Sequence, residues 1–224
     1  MSIYKLTQDE LVENQQNFIK LVKDIDREGF SCPALINYLT NQTDFFTAPA
    51  SKTNHRAYYG GLCEHSLDVY NNMKKLIDTF GLVIPESSII ITALFHDISL
   101  VNTYVPYVSN KKVYSNNGRQ RDNLGTYDWV GELAFTKNDS TPLIYGSHEM
   151  NSEYIIHRYI PLAIEESVAI THHHAGLSWD SAKDDIATIY SNYPLAMILH
   201  EADMMSTFIT NITKNQWDYK STIK

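Results

Sequence analysis

Residues 85–97 read Pro-Glu-Ser-Ser-Ile-Ile-Ile-Thr-Ala-Leu-Phe-His-Asp, and no other stretch limits the fold of this chain so tightly. Pro85 and Ser87 open a helix. Ile89, Ile90, Ile91, Ala93, Leu94 and Phe95 make it apolar nearly all round, so it belongs in a core. It ends in two ionisable residues, His96 and Asp97. A buried polar group needs a hydrogen bond or a metal to offset about 1–3 kcal/mol of desolvation. Neighbours on a helix point about 100° apart. His96 and Asp97 can still converge on one ion if the helix stops there and the carboxylate reaches round.

Other helices are expected around this one. Thr7-Gln8-Asp9-Glu10 is a capping box before Leu11, Phe18, Ile19, Leu21, Val22 and Ile25, which predicts a helix over about 8–27, ended near Gly29. Ser31 and Pro33 start a short second helix, and 43–61 reads as a loop. A helix is expected over about 62–80 with Gly81 as its stop. Between about 103 and 146 the character changes. Tyr104, Val105, Tyr107, Val108, Val113 and Tyr114 are strand formers, Asn116-Asn117-Gly118 is a hairpin-type turn, and Tyr127, Trp129 and Phe135 continue the pattern. Helices are expected again over about 148–158, 161–174 and 193–211, before a polar tail, Lys214 to Lys224. The expectation is a single all-α domain over 1–224, a helical bundle with a β-hairpin inserted at about 103–146.

At 224 residues the chain can bury a substantial core. Its formal net charge of -8 offers no basic face for duplex nucleic acid. A small anionic substrate remains compatible with that charge, because a bound dication dominates its surroundings. No run of about 18 apolar residues predicts a membrane span, and the polar start, Met1 to Gln16, does not resemble a signal peptide. Cys32 and Cys63 read as reduced thiols, which points to the cytoplasm.

Nine histidines are present: His55, His65, His96, His148, His157, His172, His173, His174 and His200. A lone histidine on an apolar helix is more often a hydrogen-bonded core residue than a ligand, and a lone His-Asp pair is weak by itself. The ordered set His65, His96-Asp97 and Asp203 carries more. Imidazole and carboxylate ligands suit Mn, Fe, Zn, Co or Ni.

The order extends through His148 and His173, and here the chain resembles the HD-domain phosphohydrolases over about residues 53–210. His55-Arg56-Ala57-Tyr58-Tyr59-Gly60-Gly61-Leu62-Cys63-Glu64-His65 is similar to the Gly-Gly-Leu-x-Glu-His signature of one branch, which includes exonuclease-associated HD domains. Ala93-Leu94-Phe95-His96-Asp97-Ile98 is similar to the family's His-Asp motif. Gly146-Ser147-His148, the histidines after Ile170-Thr171, and His200-Glu201-Ala202-Asp203 are similar to its later motifs. The resemblance implies a helical bundle around one or two divalent transition metals. His65, His96, Asp97 and Asp203 are implied as ligands of the first, and His148 and His173 of the second, with Asp97 bridging. The register at 172–174 leaves His172 as an alternative; His173 is preferred because three residues separate it from Ile170, as in the related motif.

One departure matters: the branch carries Lys three residues after the motif Asp, where this chain has Leu100. Asp97, His55 and Arg56 are the candidate catalytic residues, Asp97 orienting the nucleophile and the other two contacting phosphate. His55 and Arg56 read equally well as an ordinary exposed loop pair. Lys52, Lys111, Lys112, Arg119 and Arg121 read as solvated loop charges. Tyr58, Tyr59 and Trp179 could stack a base, although core packing explains them as well. The expected function is hydrolysis of a small phosphorylated substrate, a nucleotide or related ester. The alternatives are an HD-fold di-iron oxygenase and a non-catalytic metal-containing binding protein.

Overall fold

The structure is a computed structural model that describes residues 5–53, 55–140, 146–174 and 186–210. Helix α1, Gln8–Lys23, is opened by the expected capping box: Glu10 N donates to Thr7 Oγ1 at 3.3 Å, and Thr7 N to Glu10 Oε2 at 2.7 Å. It stops earlier than its apolar spacing suggests. Asp26 N is drawn to Ser87 Oγ at 2.9 Å, and Arg27 reaches the buried Glu166, so the chain leaves the helix to join other elements. Helix α2, Cys32–Asn37, continues as a π-helical turn, Tyr38–Gln42. Helix α3, Gly61–Phe80, ends at Gly81, whose φ of 63° is the left-handed conformation of a helix stop.

Helix α4, Glu86–Phe95, packs against α1, α3 and the later helix α6, Ile164–Thr171. Every residue from Ser88 to Phe95 is buried. Because it is apolar on all sides, α4 serves two clusters. Ile90, Ile91, Leu94 and Phe95 join Phe18, Val22, Leu35 and Ile156, while Ile89 and Ala93 join Val69, Met73, Ala169 and Leu199. Helices α5, His148–His157, and α8, Pro194–Met204, complete the bundle with α6. A seven-residue helix α7, Ile186–Asn192, was not expected. None of the described helices is long and apolar enough to cross a membrane.

The all-α expectation is corrected. Of the described residues 54% are helical and 14% are strand, so the molecule is of mixed α/β class. The insertion is a three-stranded antiparallel sheet in the order β1-β3-β2, with β1 Tyr104–Tyr114, β2 Gln120–Asp122 and β3 Gly125–Lys137. Asn116-Asn117-Gly118 does form a turn, in which Gly118 N donates to Ser115 O at 3.1 Å, but it does not join paired strands. β1 pairs along its whole length with β3, from Tyr104 opposite Lys137 to Tyr114 opposite Tyr127. The tight hairpin is Asn123-Leu124, between Asp122 and Gly125. A strand as long as β3 has two edges to satisfy, and the turn residues alone did not reveal which segment would take each. The polar tail from Lys214 and Trp179 lie outside the described residues.

Removing the side chain of Ile91 is expected to leave a cavity between the helices. Ile91→Ala should cost about 2–5 kcal/mol in urea unfolding, whereas Val83→Ala, at a position 99% exposed, should stay within about 0.5 kcal/mol.

Candidate metal centre

The apolar helix delivers its ionisable pair to the interior. His96 is the last residue with helical backbone, and Asp97 departs with φ -111° and ψ 17°. That departure turns its carboxylate toward the same point as the His96 ring. The two oxygens of Asp97 face different partners. Oδ2 lies 3.8 Å from His65 Nε2 and 3.7 Å from His96 Nε2. Oδ1 lies 3.5 Å from His148 Nε2 and 3.4 Å from His173 Nε2. Asp203, near the end of α8, places Oδ1 3.1 Å from His65 Nε2. The six residues expected as ligands therefore come together. His173, not His172, reaches the centre; His172 Nδ1 turns to Val168 O at 2.9 Å.

The imidazole tautomers can be read from their outer partners. A carbonyl only accepts, so an Nδ1 bonded to one carries a proton, and in the neutral ring Nε2 then keeps its lone pair. His96 Nδ1 donates to Ala93 O at 3.0 Å, and His173 Nδ1 to Ile170 O at 2.7 Å. Each acceptor is a carbonyl three residues back, in the last turn of a helix that leaves such groups free. Fixing the outer nitrogen in this way is how proteins orient histidine ligands. His65 Nδ1 is 3.2 Å from Ser206 Oγ, in the π-helical turn Met205–Thr210 after α8.

A cation fits this donor set. Ligands 2.0–2.1 Å from one ion stand about 3.0 Å apart at right angles and about 3.4 Å apart at the tetrahedral angle. The Nε2 atoms of His65 and His96 are 3.2 Å apart, a separation that two ligands of one ion would have. Asp97 Oδ1 and His173 Nε2 are buried, and neither makes a hydrogen bond of good geometry. These buried His, Asp and Glu clusters could hold a metal ion. The C-termini of α4 and α6 add the negative ends of two helix dipoles, which favour positive charge.

Electrostatics agree with this. Burial works against ionisation of Asp97, but His96, His173 and His148 outweigh it and hold the carboxylate well below its usual range. For Asp203, burial is outweighed by His174 and then His65, whose ring nitrogens face its two oxygens, and its carboxyl is held well below the usual range. Burial pushes His96 down to about 3 despite Asp97. His55 is pushed down to about 4 by burial and then by His65, whose ring lies 5.2 Å away.

Two residues belong to the site that the sequence did not single out for it. His174 bridges Glu149 Oε1 at 3.1 Å and Asp203 Oδ2 at 3.2 Å, and Glu149 Oε2 also lies 3.2 Å from His148 Nδ1. Burial lowers the His174 pKa, but those two carboxylates dominate and raise it to about 10. Their signal was present: Glu149 follows His148 as Asp97 follows His96, and His174 closes a run of three histidines.

A cleft of about 370 Å³ opens onto the centre, lined by Asp97, Asp203, His148 and His174, with His55 and Leu100 beside them. His55 thus stands where a substrate would. Arg56 does not line the cleft. It is 1% exposed and engaged elsewhere: Nε with Glu64 Oε2 at 3.1 Å, Nη2 with Asp68, and Nη1 donating to Ser206 O at 3.1 Å. Its role is to hold the segment that orients His65. Gly60 and Gly61 make this possible. Gly60 adopts φ 80°, and a Cβ on Gly61 would meet the Arg56 carbonyl oxygen at 2.1 Å. Tyr58 donates its hydroxyl to Glu64, and Tyr59 packs edge-on against Phe135, so both serve packing. Compared with known proteins, the chain matches no family model, no curated protein and no solved structure.

Replacing Asp97 by Ala removes both central oxygens. Metal retained after dialysis, measured by elemental analysis, should fall to background, with far-UV circular dichroism preserved. Arg56→Ala strands Glu64 and Asp68; breaking such a buried pair should cost about 3–5 kcal/mol in urea unfolding and weaken metal retention through His65.

Proposed function

We propose that this chain is a metal-dependent phosphohydrolase of the HD-domain type, acting on a small phosphate ester such as a nucleotide. The observation that carries the reading is the Asp97 carboxylate, whose two oxygens each face a separate pair of imidazole nitrogens. One or two divalent transition metals are expected there, from Mn, Fe, Zn, Co or Ni. A bound divalent ion would supply Lewis acidity and a water whose pKa falls to about 7.

The chain's own groups do the rest. Asp97 and Asp203 both lie well below the usual carboxylate range although buried, Asp203 with the protonated His174 beside it. His55, neutral at pH 7, faces the cleft and can donate a hydrogen bond to a phosphoryl oxygen or accept a proton. Ala50 and Leu100 add apolar side chains to the cleft lining. A volume of about 370 Å³ is at the low end for ligand sites, which run from about 300 to 1,000 Å³, and suits a small ester better than a polymer. Leu100 in that lining, where the resembling branch has Lys, favours a second reading, a di-iron oxygenase built on the same donors.

The test is reconstitution of the full chain with Mn²⁺, Zn²⁺ or, under argon, Fe²⁺. Metal content is measured first, then phosphate release from nucleoside mono-, di- and triphosphates, p-nitrophenyl phosphate and its diester. Release by the loaded protein, lost in Asp97→Ala and indifferent to oxygen, is the expected result. No release from any ester at full loading overturns the reading. Turnover that requires oxygen and iron moves it to the oxygenase, and ligand binding without turnover moves it to a binding protein.

A further inference from the structure

The sheet enters the metal cleft at one place. Tyr104, the first residue of β1, and Lys137, the last residue of β3, are direct cross-strand partners, and both line the cleft. Opposite residues of an antiparallel pair project from the same face. Two residues back along β3, Phe135 is buried on that face and packs against Tyr59 with ring centroids 5.5 Å apart, so the face is turned to the body of the protein. The root of the sheet is fastened. Asn138 N donates to Thr103 O at 2.8 Å, and Asn138 Nδ2 to Asn102 O at 3.0 Å. Asn102 N donates to Asp44 Oδ1 at 2.6 Å, and Asp44 N returns to Asn102 Oδ1 at 3.2 Å. The pair is therefore held in place relative to Asp97.

Lys137 is the one Lys or Arg among the described residues that line the cleft, and it makes no ion pair among them. Of the other cations in or beside the sheet, Lys111 pairs with Glu132, Lys112 with Asp122 and Arg119 with Asp128, while Arg121, on β2, does not line the cleft. Burial, with Asp97 near, pushes the Tyr104 hydroxyl up, which leaves it a neutral O–H donor. A lysine without an ion pair and a phenol donor, on cross-strand partners that both line the cleft, are suited to an oxyanion.

We infer that Lys137 and Tyr104 form the anion subsite of this cleft, binding the non-bridging oxygens of the substrate's phosphate while the buried centre faces the scissile bond. The inference rests on the phosphohydrolase reading and adds to it the residues that select an anionic ester.

The experiment uses the Mn²⁺-loaded full chain with inorganic phosphate as the probe, followed by ³¹P relaxation, together with steady-state hydrolysis of p-nitrophenyl phosphate. Lys137→Ala should weaken phosphate binding about ten- to hundred-fold, the range for losing a hydrogen bond to a charged group. KM should rise by a similar factor while kcat changes less than about three-fold, the pattern of lost uniform binding. Lys137→Arg should restore most of the affinity, and Tyr104→Phe should cost about three- to ten-fold. Mn²⁺ stoichiometry and the urea midpoint are measured for each variant and should match the wild type. Phosphate affinity in Lys137→Ala within two-fold of the wild type overturns the subsite, as does loss of Mn²⁺ from that variant. If the wild type binds Mn²⁺ but neither binds phosphate nor cleaves any ester, the phosphohydrolase reading itself falls, and the subsite falls with it.

Discussion

Two carboxylates, Asp97 and Asp203, are buried nearly completely among imidazole rings, and the arrangement of the helices answers the need to compensate them. An isolated buried carboxylate would be far too costly to keep charged. Here each oxygen faces a ring nitrogen, and the rings come from α3, α4, α5 and the end of α6. Removing any one of these helices would leave charge unmatched, so the core and the site stabilise each other. A cation between the carboxylates and the lone pairs would complete the compensation that the side chains begin.

Helix ends do much of the positioning. His96 and His173 both follow the last turn of a helix and both lean on the carbonyl three residues back. The groups that a terminating helix leaves unsatisfied become fixed acceptors, and the dipoles of α4 and α6 aim their negative ends at the same point. Asp97 and His148 are linked further by the turn between them. Ser99 Oγ donates to His148 O at 2.8 Å, and Ser99 N to Ser152 Oγ at 3.1 Å, which ties the end of α4 to the start of α5.

Behind the ligands sits a second buried charge system. Arg56, with Glu64, Asp68 and Ser206, locks the loop before α3 to the turn after α8. From the sequence Arg56 reads as a phosphate contact beside His55, since a loop arginine next to a histidine has that chemistry. In the folded chain its guanidinium is fully used inside the protein, and the lysine that lines the cleft is instead Lys137, at the root of the sheet. The sheet is thus more than an ornament on a helical bundle: its root supplies a wall of the site.

Much was legible in the residues themselves. The all-round apolar run of α4 required burial, its terminal His96-Asp97 required compensation, and the capping box and Gly81 marked helix ends, because these signals act between residues close in the chain. The strand formers announced a β segment, but not that β3 would lie between β1 and β2, since pairing is a choice among distant edges. The same limit explains Arg56, Glu149, His174 and Lys137. Residue type and spacing state which groups can bind a metal or an oxyanion. Which of them point inward, and which are consumed by a neighbour, is decided only when packing brings remote segments together and every buried charge must find its partner.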